Sequence, residues 1–123
     1  MKISPILLLL LTASAPSFAA AVILEAKIQI NEAKPKAFEM TLKDDKAWET
    51  QEEGNLLFSI NAAAETDTKE ILITTKISKL GDEKKTPIAQ IEVKTQLNRT
   101  AQVVQSVEGN TTVHLTYTPS EVR

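Results

Sequence analysis

Side chains that could do chemistry are few in this chain. His114 is the only histidine, and there is no cysteine. A histidine that acts as a general base needs a nucleophile and an orienting partner, and a histidine-based metal site without cysteine could be completed only by carboxylates. His114 falls on the polar side of the last predicted strand, so we expect a structural or solvent-facing histidine rather than a catalytic or metal-binding one.

Two pairs of adjacent acids are the other candidates. Asp44-Asp45 and Glu52-Glu53 could supply oxygen ligands for a hard cation, or carboxylates for acid–base catalysis. Neither pair has the spacing of a calcium loop with its glycine and distal glutamate. Adjacent acids beside turns usually serve solubility and protect sheet edges, and this is the interpretation that we adopt.

Longer catalytic motifs are absent from the sequence. It contains no G-x-S-x-G elbow and no H-E-x-x-H, and its three glycines all fall at predicted turns, so there is no phosphate-binding loop. We therefore predict no catalytic residue, no cofactor and no metal, and a protein that is not an enzyme. A hydrolase whose carboxylates come together from distant positions stays open as an alternative.

Trp48 is the only tryptophan of the chain. It lies in a polar stretch from Lys43 to Asn55 that reads as a connection, in which a short helical turn is possible. The indole could cap one end of the core, or it could be an exposed contact for a partner, as in interface hot spots. Because the only tryptophan of a small domain tends to be largely buried, the core cap is favoured, with Trp48 as a possible partner contact.

The N-terminus has the pattern of a secretory signal peptide. Lys2 supplies the positive charge, an unbroken apolar run extends from Ile6 to Leu11, and Ser17-Phe18-Ala19 has the small-x-small pattern that precedes cleavage. We predict a signal peptide over residues 1–19 and a single domain over 20–123. Because polar residues and a proline follow Leu11, the apolar run is too short to span a membrane. We therefore expect no stable membrane insertion after cleavage, and a periplasmic or secreted bacterial protein.

Alternation of apolar and polar residues predicts the elements of this domain. Breaks with Pro, Gly, Asn or Asp separate the alternating runs, and a Gly-Asn pair at 109–110 indicates a hairpin. We predict about seven strands, over residues 22–30, 38–42, 56–63, 70–80, 87–95, 101–107 and 111–118, with Pro119 ending the last. The pattern favours an all-β fold, either an antiparallel sandwich or a small Greek-key barrel.

The charge distribution argues against a polyanionic partner. The net charge is −2, acids and bases are interspersed, and Lys84-Lys85 is only a dipeptide in a predicted turn. A nucleic-acid-binding protein would carry a basic patch or stripe. We therefore expect no nucleic-acid partner.

The C-terminal third carries a resemblance to a known family. A proline-led strand from Thr86-Pro87, the turn Leu97-Asn98-Arg99-Thr100, an apolar strand to Val107, and the ending Leu115-Thr116-Tyr117-Thr118-Pro119 form the pattern. It resembles a β-hairpin pattern in the β-rich C-terminal segment of secretins, the outer-membrane secretion and pilus channels, and in small periplasmic proteins. Asn98-Arg99 stand where that family usually has a glycine. The resemblance transfers no catalytic residue, and it implies an accessory or envelope-assembly role.

Two functional interpretations follow from the sequence. The first is an exported, non-enzymatic interaction or accessory module of the bacterial envelope, with an envelope protein as its partner. The alternative is a secreted inhibitor or small-ligand-binding protein that uses the stretch from Lys43 to Asn55 around Trp48.

Overall fold

The structure is a computed structural model, and it describes residues 21–65, 68–81, 87–107 and 109–122. The predicted signal peptide, residues 1–19, lies outside the described residues, as does most of the predicted turn that follows Gly81. Within the described ranges every regular element is a strand, and no helix is present that could cross a membrane.

The described residues form eight antiparallel strands in two sheets of four. The strands are β1 (Ala21–Ile30), β2 (Lys36–Leu42), β3 (Lys46–Glu53), β4 (Leu56–Glu65), β5 (Glu70–Lys79), β6 (Ala89–Gln96), β7 (Ala101–Val107) and β8 (Thr111–Val122). Sheet A has the order β2-β1-β8-β7, and sheet B has the order β3-β4-β5-β6. The predicted all-β fold is confirmed.

The chain passes from each strand to a spatial neighbour. Strands β3 to β6 form a meander in sheet B, hairpins join β1 to β2 and β7 to β8 in sheet A, and β8 returns to pair with β1. The connections from β2 to β3 and from β6 to β7 cross between the sheets. Apart from one isolated bridge between Lys43 and Lys46, no ladder joins the sheets within the described residues. The fold is therefore a sandwich, and the Greek-key barrel alternative is wrong.

The inner faces of the two sheets form the core, as the alternation predicts. The inward positions of β1, β4, β5 and β8 are almost wholly apolar, because these are the inner strands of their sheets and bury one full face. The largest fully buried side chains are Leu24, Ile28, Phe58, Ile60, Ile71, Ile73, Thr75, Ile77, Val113, Leu115, Tyr117 and Pro119. One hydrogen bond crosses this core, between Thr75 Oγ1 on β5 and Tyr117 Oη on β8, 2.6 Å apart.

The stretch from Lys43 to Asn55 is a strand and two turns rather than a loop with a helical turn, so the described residues form eight strands where the sequence predicted about seven. Asp44 and Asp45 form the turn from β2 to β3, with φ angles of 52° and 63°, a region that aspartate adopts more readily than most residues. β3 then pairs with β4 along its whole length. Because β3 is an edge strand, its inward positions need not be apolar, and the hydrophobic alternation that reveals the other strands is missing.

Pro119 does not end the last strand, which continues to Val122. Pro119 is buried and lies opposite Leu24 of β1. Its carbonyl accepts a hydrogen bond from the Asn98 N–H at 2.7 Å, so its backbone polar groups face the β7 side, beyond the first β7 residue, Ala101. Because β7 begins at Ala101, opposite Tyr117, no carbonyl of β7 lies opposite Pro119. The N–H that proline lacks is therefore not needed in the ladder between β7 and β8.

Candidate functional site

The fold does not bring together the residues that the sequence analysis considered as candidates for catalysis or metal binding, His114 and the two acid pairs. His114 is exposed on the outer face of sheet A, opposite Val104 of β7, and the sequence-based expectation of a solvent-facing histidine is confirmed. Asp44 and Asp45 lie in the turn before β3. No group of three or more histidine, aspartate or glutamate side chains among the described residues is arranged to hold a metal ion.

The second acid pair is divided between two surfaces. Glu52 is exposed on the outer side of β3, whereas Glu53 faces inward and its Oε2 lies 3.7 Å from Nζ of Lys36 on β2. Both partners are partly exposed, so this ion pair adds little stability. It links the edge strands of the two sheets at one side of the sandwich, which is a structural role.

Among the described residues, the one strongly shifted pKa also belongs to the core. Burial raises the pKa of Tyr117 to about 12, while its hydrogen bond with Thr75 acts in the opposite direction. The phenol is fully buried between the sheets. A catalytic acid must reach its substrate, so the shifted pKa of Tyr117 reflects packing rather than catalysis.

Trp48 is the most exposed large apolar side chain in the described residues, with 65% of its surface accessible. The core cap expected for it is therefore wrong. Side chains alternate along β3, and with Ala47 and Glu49 half-buried on the inner side, Trp48 projects from the outer face of sheet B. The sequence contained a usable signal, because the turn residues Asp44-Asp45 and Gly54-Asn55 delimit a strand of hairpin length.

A hydrogen bond fixes the indole ring on the sheet. Its Nε1–H donates to Oγ of Ser59 on β4, with the two atoms 3.0 Å apart. Trp48 lies directly opposite Asn61 in the register, and Ser59 is two residues away on the same face. The indole therefore leans diagonally across β4 and covers the outer surface of the sheet, instead of extending into solvent.

Trp48 lines at least three depressions. Two lie on the outer surface of sheet B, one with a volume of about 370 Å³ and one of about 440 Å³. The other, of about 380 Å³, lies between β2 and β3, and charged residues such as Glu39, Lys43 and Glu49 line it. The first is lined by Lys46, Ala47, Trp48, Asn61, Ala62, Ala63, Leu72 and Thr74. The second is lined by Trp48, Thr50, Leu57, Ser59, Lys76, Ser78 and Pro87. Each is formed by small, hydroxyl and apolar side chains with one lysine, and the two share only Trp48. We call this surface, with Trp48 at its centre, the Trp48 face.

No family model, no curated protein and no solved structure matches the chain. The resemblance to secretins stays a prediction. The two strands on either side of the turn at Asn98 lie in different sheets, so they do not form one hairpin. Asn98 has a φ angle of 64° there and occupies the left-handed conformation that glycine would otherwise supply.

Proposed function

We propose that this protein is an exported, non-enzymatic interaction module that binds an envelope protein on its Trp48 face. The observation that carries the proposal is the exposure of Trp48 together with its hydrogen bond to Ser59. Export is supported by the signal-peptide pattern of residues 1–19, and the non-enzymatic character by the lack of a catalytic motif in the sequence.

An exposed tryptophan is well suited to this role. Tryptophan is among the residues that dominate binding energy in protein interfaces, because a single side chain buries a large apolar area. The hydrogen bond to Ser59 restricts the rotamers of Trp48 before a partner arrives. Less conformational entropy is then lost on binding, and more of the buried area contributes to affinity.

The surroundings of Trp48 also suit a contact surface. Asn61, Thr74 and Ser59 offer hydrogen-bonding groups beside the apolar Leu57 and Leu72. An apolar anchor with uncharged polar neighbours is the usual composition of an interface centre. The proposal therefore assigns Trp48 as the anchor.

A small ligand is the second candidate occupant. The two depressions beside Trp48 have volumes of about 370 and 440 Å³, within the size range of ligand pockets, and their lining is largely uncharged. In this alternative the indole would stack against the ligand, and β3, rather than a loop from Lys43 to Asn55, would supply the binding residues.

The test is quantitative capture from the native envelope with three tagged proteins: wild type, Trp48→Ala and Leu80→Ala. Leu80 is an exposed apolar residue outside the Trp48 face and serves as the matched control. We expect Trp48→Ala to lose the bound protein, with the Kd of the purified pair raised about 30-fold or more, as for an interface hot spot. The free energy of unfolding should change by less than about 1 kcal/mol, because the side chain is exposed.

Trp48 provides its own reporter because it is the only tryptophan. Adding the captured partner should shift its fluorescence to shorter wavelength and protect it from acrylamide quenching. A partner captured equally by wild type and Trp48→Ala, with no change in fluorescence, would refute the proposed surface. An empty eluate from wild type would refute the protein partner and favour the small ligand.

A further inference from the structure

The four edge strands of the sandwich differ in how they are protected against pairing with another strand. β2, β3 and β6 each carry both acidic and basic residues. On β3, Glu49 also points inward, and its Oε2 is buried with no hydrogen-bond partner. Inward-pointing charges and charged edges are the devices by which natural sheets avoid edge-to-edge association. These three edges are protected.

β7 has none of these devices. Its sequence, AQVVQSV, contains no ionisable residue, no proline and no glycine. At its centre Val104 is 62% exposed, although valine is a residue that favours pairing in sheets. An uncharged, β-prone edge strand with an exposed apolar residue is a template for strand addition.

The hydrogen bonds of the neighbouring strands identify which backbone groups of β7 are free. The Asn31 N–H donates to the Thr112 carbonyl at 2.7 Å, and the Thr112 N–H donates to Oδ1 of Asn31 at 2.9 Å. The backbone groups of Thr112 therefore face β1. Because these groups alternate in direction along an antiparallel strand, those of Val113 and Leu115 face β7.

Val113 and Leu115 lie opposite Gln105 and Val103, which are therefore the β7 residues bonded to β8. The residues between and beside them, Gln102, Val104 and Ser106, direct their N–H and C=O groups away from β8, toward the free edge. One further contact agrees with this direction, since the Ser106 carbonyl accepts a side-chain hydrogen bond from Gln105 Nε2 at 3.2 Å.

We propose that two copies of this protein associate by antiparallel pairing of their β7 strands about a two-fold axis at Val104. Val104 then pairs with Val104 of the second copy, and Gln102 pairs with Ser106 on either side. All three direct their backbone groups toward the free edge, so each pair exchanges two N–H···O=C hydrogen bonds, and the Ser106 carbonyl accepts from the second copy instead of from Gln105. The two A sheets become one continuous sheet across the axis.

The choice of a second copy rests on self-complementarity. An isologous contact places each residue of the strand against its symmetry mate about the centre, and Val104 is the middle residue of β7. On the outer face valine meets valine and glutamine meets serine. The chain has a net charge of −2, and two copies that meet at β7 bring no charged residues together, because β7 has none. On β6, the edge of sheet B on the same side of the molecule, Glu92 and Lys94 are charged residues of the kind that protect a sheet edge.

The first test is sedimentation of the mature protein over a concentration series up to about 1 mM, the range that covers weak association. We expect a monomer–dimer equilibrium in the wild type. Val104→Lys, which places two like charges at the axis, should be monomeric, while Thr41→Lys, the same change at an exposed site of the opposite edge strand β2, should dimerise as the wild type does.

A backbone variant tests the hydrogen bonds themselves. Val104→Pro removes an N–H that faces the free edge, so the monomer keeps its ladder with β8. The dimer loses both hydrogen bonds at the axis. If each lost hydrogen bond weakens association about fivefold, the dissociation constant of the dimer should rise about 30-fold. Circular dichroism and thermal unfolding of the variant confirm that the monomer is folded.

The absence of native cysteine allows a direct test of the symmetry. Val104→Cys should form a disulfide-linked dimer under mild oxidation, because Cα atoms of a hydrogen-bonded pair lie about 5.5 Å apart, within disulfide range. Thr41→Cys is the control and should not. The proposal is overturned if the wild type is monomeric over the whole concentration series, or if it forms a dimer that Val104→Lys and Val104→Pro do not weaken. It is also overturned if the chain is always monomeric and a different protein pairs with β7. Trp48→Ala should leave the dimer intact, so this test is separate from that of the Trp48 face.

Discussion

Thr75 and Tyr117 offer a sharp test of how the two sheets are held together. Their hydroxyl oxygens lie 2.6 Å apart, Thr75 is 1% exposed and Tyr117 is fully buried. They belong to β5 and β8, inner strands of opposite sheets. Tyr117→Phe removes one hydroxyl and leaves the other buried without its partner, and Thr75→Val does the reverse. An unsatisfied buried hydroxyl costs about 1–3 kcal/mol, so each single variant should lose about 2 kcal/mol.

The double variant distinguishes a true pair from two independent effects. When both hydroxyls are removed together, no polar group stays unsatisfied, and replacing both partners of a hydrogen bond by apolar groups is close to neutral. We expect Tyr117→Phe with Thr75→Val to lose less than about 1 kcal/mol, well below the sum of the two single losses.

Urea unfolding followed by circular dichroism measures this cycle. The midpoints should fall for the single variants and largely recover in the double variant, with the slope of free energy against urea unchanged. Losses that simply add to about 4 kcal/mol would refute the reasoning, because the two hydroxyls would then contribute separately through packing.

Two more predictions concern stability. The pKa of Tyr117 is raised from 10.0 to about 12, so the folded state favours the neutral phenol more than the unfolded state does. This preference contributes fully to the free energy of unfolding below pH 10. About 3 kcal/mol of it is lost as the pH rises from 10 to 12. Urea unfolding of wild type against Tyr117→Phe over that range should show this loss only in the wild type, and equal pH profiles would contradict it. Gly54→Ala should destabilise more than Gly109→Ala: both residues have positive φ, but only at Gly54 would the added Cβ meet a neighbour, Ile30 Cδ1 at 3.3 Å. Strain alone should cost about 1 kcal/mol at each glycine, and equal losses would show that the contact is relieved without cost.

Much of the fold is predictable because each inner strand buries one face. Ile71, Ile73 and Ile77 lie at alternate positions of β5, on one face, and all three are fully buried. The same holds for Leu115 and Tyr117 on β8. A period of two in hydrophobicity follows from the geometry of a half-buried strand, so these residues indicate both the strand and its inward face without any knowledge of its neighbours.

The edge strand β3 resists this reasoning because its inward side chains reach solvent at the side of the sandwich. Glu49 and Glu53 occupy inward positions of β3, so the strand has no apolar face and its sequence resembles a connection. Pro119 is tolerated inside β8 only because β7 has ended at that point. The hydrophobic pattern signals neither fact, since both depend on which strands lie beside the residue; for β3, only the turn residues at its two ends indicate a strand.

The sequence by itself determined the all-β class and the faces of the inner strands, because local alternation is enough to specify burial on one side. It also carried the signal-peptide pattern and the lack of catalytic motifs. Only the tertiary structure decided that β3 and β7 are edge strands, and that Trp48 is exposed with its indole bonded to Ser59. It also decided that the backbone groups of Gln102, Val104 and Ser106 face the free edge of β7. The physical reason is that an edge or a surface is defined by the absence of a neighbour, and strand order places neighbours that are far apart in the sequence, as β1 and β8 are.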